Sequence, residues 1–276
     1  MKKNEYLTRE SENDADSDNT YQTTFKVSQT PKINQLINES RFDDALSLIN
    51  NILKSEDDWR NWNLKAIILD NLSRYDESIE CYNLALTLNQ SVQVKINKAN
   101  TLYKYAKVTF FPEGNYEKAL DLIDQSLDIM PESEDASELH FLKAEILEAL
   151  GRLGDAQKSY LIAHKEFDKL DELERQMDYL ENTDDTIVNI TGSYFYDFTP
   201  SQGLIVDLMK EEDNEHDSDA IAVCLDGEKI GYVANSEYTL MDGANSASQI
   251  KNKIGDNAKA EILFVYLQEY VVAKII

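Results

Sequence analysis

The sequence is poor in the residues that reaction chemistry usually needs. It has two cysteines, three histidines, four prolines and nine glycines in 276 residues. Cys81 and Cys224 have no partner spacing, which excludes a disulfide framework and reads them as reduced packing residues. Histidines at 140, 164 and 216 are too scattered for a zinc site, so no metal and no other cofactor is expected. No apolar run approaches the ~18 residues of a membrane helix. Lys2 and Lys3 are followed by no apolar segment, so no secretory signal is read. A cytoplasmic protein with no membrane partner is expected. A glycine-rich phosphate loop, a Gly-x-Ser-x-Gly elbow and a His-Glu-x-x-His helix are all missing, so the expectation is not an enzyme.

Acid is what the chain has in excess. Fifty-two Asp and Glu stand against 27 Lys and Arg, a formal net charge of −25. That field favours solubility, attracts basic partners and repels phosphates. Residues 1–29 are polar and acidic with almost no aliphatic periodicity, and are expected to form a disordered tail. The remaining length suits two small domains, each with its own core.

From Pro31, which suits a first helical turn, the chain repeats itself. Four segments share one pattern: Phe42-Ala45-Ile49-Ile52-Leu53, Tyr75-Ser78-Tyr82-Ala85-Leu86, Tyr116-Ala119-Ile123-Ser126-Leu127 and Leu153-Ala156-Tyr160-Ala163. Upstream helices read Trp62-x-x-Lys65-Ala66-x-x-Leu69-x-x-Leu72 and Lys143-Ala144-x-x-Leu147-x-x-Leu150. Small residues at Ala66, Ser78 and Ala85 let paired helices approach, while Trp62, Tyr75 and Tyr82 fill the space between hairpins. These residues resemble the tetratricopeptide repeat (TPR). The spacing runs long, 41 residues from Tyr75 to Tyr116 and 37 from there to Leu153, against about 34 for the family. The first surplus is assigned to an extended loop at residues 105–114. The expectation is about four hairpins over 30–164, with residues 165–182 as a capping and connecting helix.

At Thr183 the texture becomes β-branched and alternating, and six of the nine glycines lie beyond Gly154. Ala220–Leu225, the turn Asp226-Gly227 and Lys229–Val233 read as a hairpin. Ser246 to Ile254 reads as a short helix with a serine cap, and a last strand pair spans 258–266 and 269–275. Tyr194 and Tyr232 are expected to pack in the core.

The string Leu208–Val223, then Lys229-Ile230-Gly231-Tyr232-Val233, with Gly192-Ser193-Tyr194-Phe195-Tyr196 upstream, is similar to the HIRAN signature. The resemblance covers 183–276 and implies a small β-barrel with a short helix. The fold class is therefore α + β in two domains, an α-helical TPR solenoid and a HIRAN-like barrel. The resemblance further implies recognition of a single-stranded DNA 3′ end. Phe195, Tyr196 and His216 would stack on bases, and Asn214 and Asp217 would bond the terminal nucleotide. Asn214 and Asp217 are as well suited to capping a turn ahead of a strand. From Asp184 onward there is no arginine, and six lysines face seventeen acids, a formal charge of −11. Any DNA binding is therefore expected to be weak. The carboxylates of 211–219 lack the glycine and spacing of a calcium loop.

The first helix of each TPR hairpin lines a groove that in this family takes a protein or peptide partner. By repeat position Arg60, Asn63, Asp70, Asn71, Asn100, Lys104, Glu145 and Glu148 should face it, although a polar surface of mixed charge also reads as plain solvated surface. The sequence thus suggests a non-catalytic adaptor. Two alternatives stand beside it: a purely protein-binding scaffold whose acidic barrel binds no DNA, and an accessory subunit of a nuclease or helicase system.

Overall fold

A computed structural model describes residues 30–276, and the expected disordered tail lies outside them. Helices pair in chain order: α1 (Thr30–Asn38) with α2 (Phe42–Leu53), α3 (Trp59–Asn71) with α4 (Tyr75–Leu88), α5 (Val92–Phe110) with α6 (Tyr116–Ile129), and α7 (Ser137–Ala149) with α8 (Leu153–His164). A ninth helix, α9 (Phe167–Asn182), packs on α8.

One turn geometry ends the first helix of each hairpin and also α8. Ser40, Ser73, Gly114, Gly151 and Lys165 have φ of 57°, 58°, 64°, 74° and 60°, each two residues before the next helix begins. A left-handed residue there lets the following N–H reach back to a carbonyl of the last helical turn. Arg41 N donates to Leu36 O at 2.8 Å, and Arg74, Arg152 and Glu166 make the equivalent bond at 2.9 Å.

Between paired helices Ala66, Ser78 and Ala85 have no exposed surface, and Ser78 Oγ donates to Ala66 O at 2.8 Å. Ser126 Oγ makes the same kind of bond to Ala99 O at 2.8 Å. Each such bond contributes about 1 kcal/mol net, and the buried carbonyl would be costly to leave with its second lone pair facing apolar carbon. Tyr82 is buried, and Tyr75 stacks on Tyr105 across hairpins at 5.1 Å.

The surplus near residue 105 is not a loop. Helix α5 continues through Tyr105, Ala106 and Thr109 to Phe110, all but Phe110 buried, and only residues 111–115 make the turn. Apolar residues at helical spacing decide this; Pro112 and Gly114 mark the end of the surplus, not its whole extent.

The second unit is a closed six-stranded barrel: β1 (Ile187–Thr191), β2 (Ile205–Lys210), β3 (Ile221–Leu225), β4 (Glu228–Val233), β5 (Ala258–Tyr266) and β6 (Tyr270–Ile275), in the order β1-β4-β3-β2-β5-β6. All pairs are antiparallel. The expected hairpin is β3–β4, with Asp226 and Gly227 at φ 51° and 87°, as a two-residue turn of this twist demands. Strand β2 was hidden in the sequence because Asp207 and Lys210 interrupt its apolar residues. The serine-capped helix is shorter than expected, α10 (Ala247–Ile250), opened by Ser246 and Gln249 in a reciprocal capping box. Val188, Val206, Leu208, Ile221, Val223, Ile250 and Ile262 form the interior. Asn189, buried in β1, holds the β4–α10 connection by bonding Thr239 O at 2.8 Å and Met241 N at 3.1 Å.

Helix α9 joins the two units. Tyr179 meets Phe264 edge-on at 6.1 Å, and its hydroxyl donates to Asp185 at 2.7 Å. Gly154 of α8 stands where a Cβ would lie 2.7 Å from the Tyr266 hydroxyl, so the absent side chain admits β5 against the solenoid.

Candidate functional site

Two glycines shape the barrel rim. Gly192, at φ 75°, turns the chain out of β1 into a single 3-10 turn, Ser193–Tyr196. Gly231 lies under that turn. A Cβ there would sit 2.7 Å from Thr191 O and 2.9 Å from Ile190 Cγ2, so the Gly-Tyr of the motif is a point of close backbone approach.

The turn displays its rings outward. Tyr194 is 90% exposed and Phe195 85% exposed, with centroids 6.0 Å apart, whereas Tyr196 is 39% exposed. The core position expected for Tyr194 is thus overturned: the left-handed residue at Gly192 rotates the turn so that this ring leaves the barrel. Tyr232 is half-buried at the base of the turn. Burial, and then the Tyr232 phenol, raise the Tyr196 hydroxyl above its ordinary pKa.

Beneath the rings lies a closed polar network. Lys229 Nζ donates to Glu211 at 2.5 Å and to the Tyr232 hydroxyl at 2.7 Å. Glu211 also accepts from Asn214 Nδ2 at 2.9 Å and from Tyr232 at 3.1 Å. The hydrogen bond from Lys229, and then that from Asn214, hold the Glu211 carboxyl below its usual range; the same carboxylate raises Lys229.

Asn214 and Asp217 shape the loop between β2 and β3. Asn214 Oδ1 accepts from the backbone N–H of His216 at 3.0 Å and of Asp217 at 3.1 Å. Asp217 accepts from Asp219 N at 2.9 Å and from Asn235 Nδ2 at 2.8 Å. Both therefore cap the turn. His216 is exposed beside them. The site missed by sequence reasoning is the Lys229–Glu211–Tyr232 cluster; its signal was a lysine three residues before the motif tyrosine.

The expected groove residues divide. Asp70 is nearly buried, accepting from Thr101 at 3.1 Å and from Lys104 Nζ. Asn63 accepts from Asn97 at 3.1 Å, and Asn71 donates to Ile67 O at 2.7 Å. Asp70 and Asn63 thus tie α3 to α5 of the next hairpin, whereas the Asn71 bond stays within α3. Asn100 is half-buried, while Arg60, Glu145 and Glu148 are exposed, Glu148 accepting from Tyr160 at 3.2 Å. Arg60 pairs with Asp58 at 3.4 Å. A cavity of about 220 Å³ opens between α5 and α7, lined by Tyr103, Lys107, Phe111, Glu138, Phe141, Leu142 and Glu145. Of the eight expected residues only Glu145 lines it. Tyr103 and Phe141 occupy the repeat positions of Asp70 and Asn63, counted from Ala66, Ala99 and Ala144, and could have been found by that count. Among the described residues no cluster could hold a metal ion, and no helix is long and apolar enough to cross a membrane.

Among solved structures this chain is similar to a crystal structure of MamA, at 16% identity over 51% of this chain and 77% of that one, TM-score 0.37. It is also similar to MamA MSR-1 C2, at 14% identity over 51% and 72%, TM-score 0.33. A third is MamA 41-end from Desulfovibrio magneticus RS-1, at 15% identity over 54% and 94%, TM-score 0.29. No curated protein matches the chain. The tetratricopeptide repeat family matches residues 60–92, spanning α3 and α4. The HIRAN domain family matches residues 184–242, from the start of β1 through β4 and its rim, with β5 and β6 closing the barrel beyond that stretch. The chain therefore joins tetratricopeptide-type helical hairpins to a HIRAN domain.

Proposed function

We propose that the chain is a non-catalytic adaptor: the helical hairpins hold a protein partner, and the barrel rim stacks the last bases of a single-stranded nucleic acid. The exposed ring pair Tyr194 and Phe195 carries this reading. Stacking contributes roughly 1–3 kcal/mol per base and tolerates any sequence. Phosphate neutralisation contributes little, because Lys229 is already held by Glu211 and the domain is strongly acidic. The carboxylates of the 211–219 loop repel a continuing phosphate, which favours an end over an interior position.

Fluorescence anisotropy with oligothymidylates ending in a 3′ hydroxyl or a 3′ phosphate, at low salt, tests the proposal. The hydroxyl end should bind tighter, with a shallow salt dependence of about one released counterion. Phe195→Ala should weaken binding while leaving stability within about 0.5 kcal/mol, as expected for an exposed position. Equal affinity for the two ends, or an unchanged Phe195→Ala, refutes it. A second reading, a barrel that binds protein only, is favoured by the internal hydrogen bonds of Asn214 and Asp217. Under that reading neither oligonucleotide binds.

A further inference from the structure

The cavity between α5 and α7 combines rings and carboxylates. Phe111 and Phe141 remain 59% and 36% exposed, and Tyr103 joins them in the lining. Phe141 is held edge-on by His164 at 4.9 Å and by Tyr160 at 6.2 Å, so its position is set by α8. Glu138 and Glu145 line the same space, against a single cation, Lys107. Lys107 Nζ already lies 5.8 Å from the Tyr103 ring centroid, within reach of a cation–π contact.

This lining discriminates among occupants. An apolar side chain would strip water from two carboxylates and give them nothing in return. An anion is repelled by both. A cation on an apolar stem satisfies each wall, its stem against the rings and its head between the carboxylates. A planar guanidinium does this better than an ammonium, because it stacks on a ring and forks to a carboxylate at once. The net charge of −25 draws basic chains toward the protein before contact.

We propose that this cavity takes an arginine side chain from a basic peptide segment of a partner. The inference rests on the helical hairpins being the protein-binding half of the adaptor, and supplies the chemistry of what they bind.

The test is an NMR titration of the full chain with Ac-Gly-Ser-Gly-Arg-Gly-Ser-Gly-amide, its citrulline counterpart, and its leucine counterpart, at about 150 mM salt to suppress long-range attraction. Shifts from the arginine peptide should cluster on Tyr103, Phe111 and Phe141. Citrulline, of the same shape without charge, should bind at least about fivefold more weakly. Phe141→Leu should cost a similar factor, and Glu145→Gln, at an exposed position that threatens no fold, should also weaken binding. Arginine and citrulline binding alike, or shifts scattered over surface carboxylates and indifferent to Glu145→Gln, overturn the inference. So does the absence of any shift up to about 10 mM peptide, beyond which binding is negligible. Preference for the leucine peptide overturns the cation chemistry while leaving the hairpins as a protein-binding surface.

Discussion

Gly231→Ala is the sharpest test of how the rim is built. The added methyl would lie 2.7 Å from Thr191 O and 2.9 Å from Ile190 Cγ2. Neither neighbour is the loose end of a flexible chain, so β1 and β4 must separate. Their seam holds two residue pairs, Ile190↔Val233 and Thr191↔Tyr232. Overpacking costs about 1–3 kcal/mol, and weakening a seam this short adds about 1–2 kcal/mol of lost hydrogen bonding. Replacing glycine restricts the unfolded chain and returns about 0.4–1 kcal/mol. The net is a loss of about 2–4 kcal/mol, confined to the barrel. Urea unfolding can isolate it, because both tryptophans, Trp59 and Trp62, lie in α3 and report on the solenoid alone. The barrel transition, followed by the NMR amide resonances of β1 and β4, should fall by about 2 M for an m-value of 1–2 kcal/mol/M. The tryptophan transition should hardly move. A barrel midpoint equal to that of the parent protein would refute the close-approach argument.

Two further outcomes follow from local geometry. Ser73→Gly should stabilise the solenoid by about 0.5–1 kcal/mol, because Ser73 holds φ 58°, where only glycine is free of Cβ crowding; an unchanged or lower tryptophan-detected midpoint would contradict this. Glu211, whose carboxyl is lowered first by the Lys229 hydrogen bond and then by Asn214, stabilises the fold at neutral pH. That contribution is lost as pH falls through its lowered value, so the barrel should weaken below about pH 4, and Glu211→Gln should flatten that part of the profile; a Gln variant with the parent's acid profile would rule this out. Lys229 is pushed above its ordinary range, so its own contribution persists at neutral pH and is lost only as pH rises beyond the ordinary lysine value.

The hairpins were legible because small residues recur at equivalent positions, Ala45, Ser78, Ala119 and Ala156 in the second helices and Ala66 and Ala144 in the first, and the close approach they permit leaves few other residues possible. The end of α5 was not, because Pro112 and Gly114 signal a turn without saying where the helix before them stops. Strand β2 hides for another reason: in a barrel only one face is apolar, and six residues containing Asp207 and Lys210 carry too short an alternation to read. At the rim, the motif found Gly192, Phe195 and Tyr196, but an aromatic residue alone does not say which way it points. Tyr194 faces water because of a backbone angle one turn earlier. The groove list favoured polar residues and passed over Tyr103 and Phe141, since a ring at a repeat position reads equally as packing. Asp70 and Asn63, assigned to the groove by repeat position, bond the neighbouring hairpin instead.

The barrel closes by pairing its first strand with its last, Ile187 opposite Lys274, and Ile275 N bonds Thr186 O at 3.0 Å. Entry and exit of the polypeptide are therefore side by side at the solenoid junction. The ring pair begins at the other end of β1, about 16 Å away for five extended residues. The barrel is built like a cartridge, with its first strand beginning and its last strand ending at the base and the ring-bearing rim free. It could be lifted out and spliced into a surface loop of another protein through two short linkers, and a reporter fused behind Ile276 would hang at the base, clear of Tyr194 and Phe195.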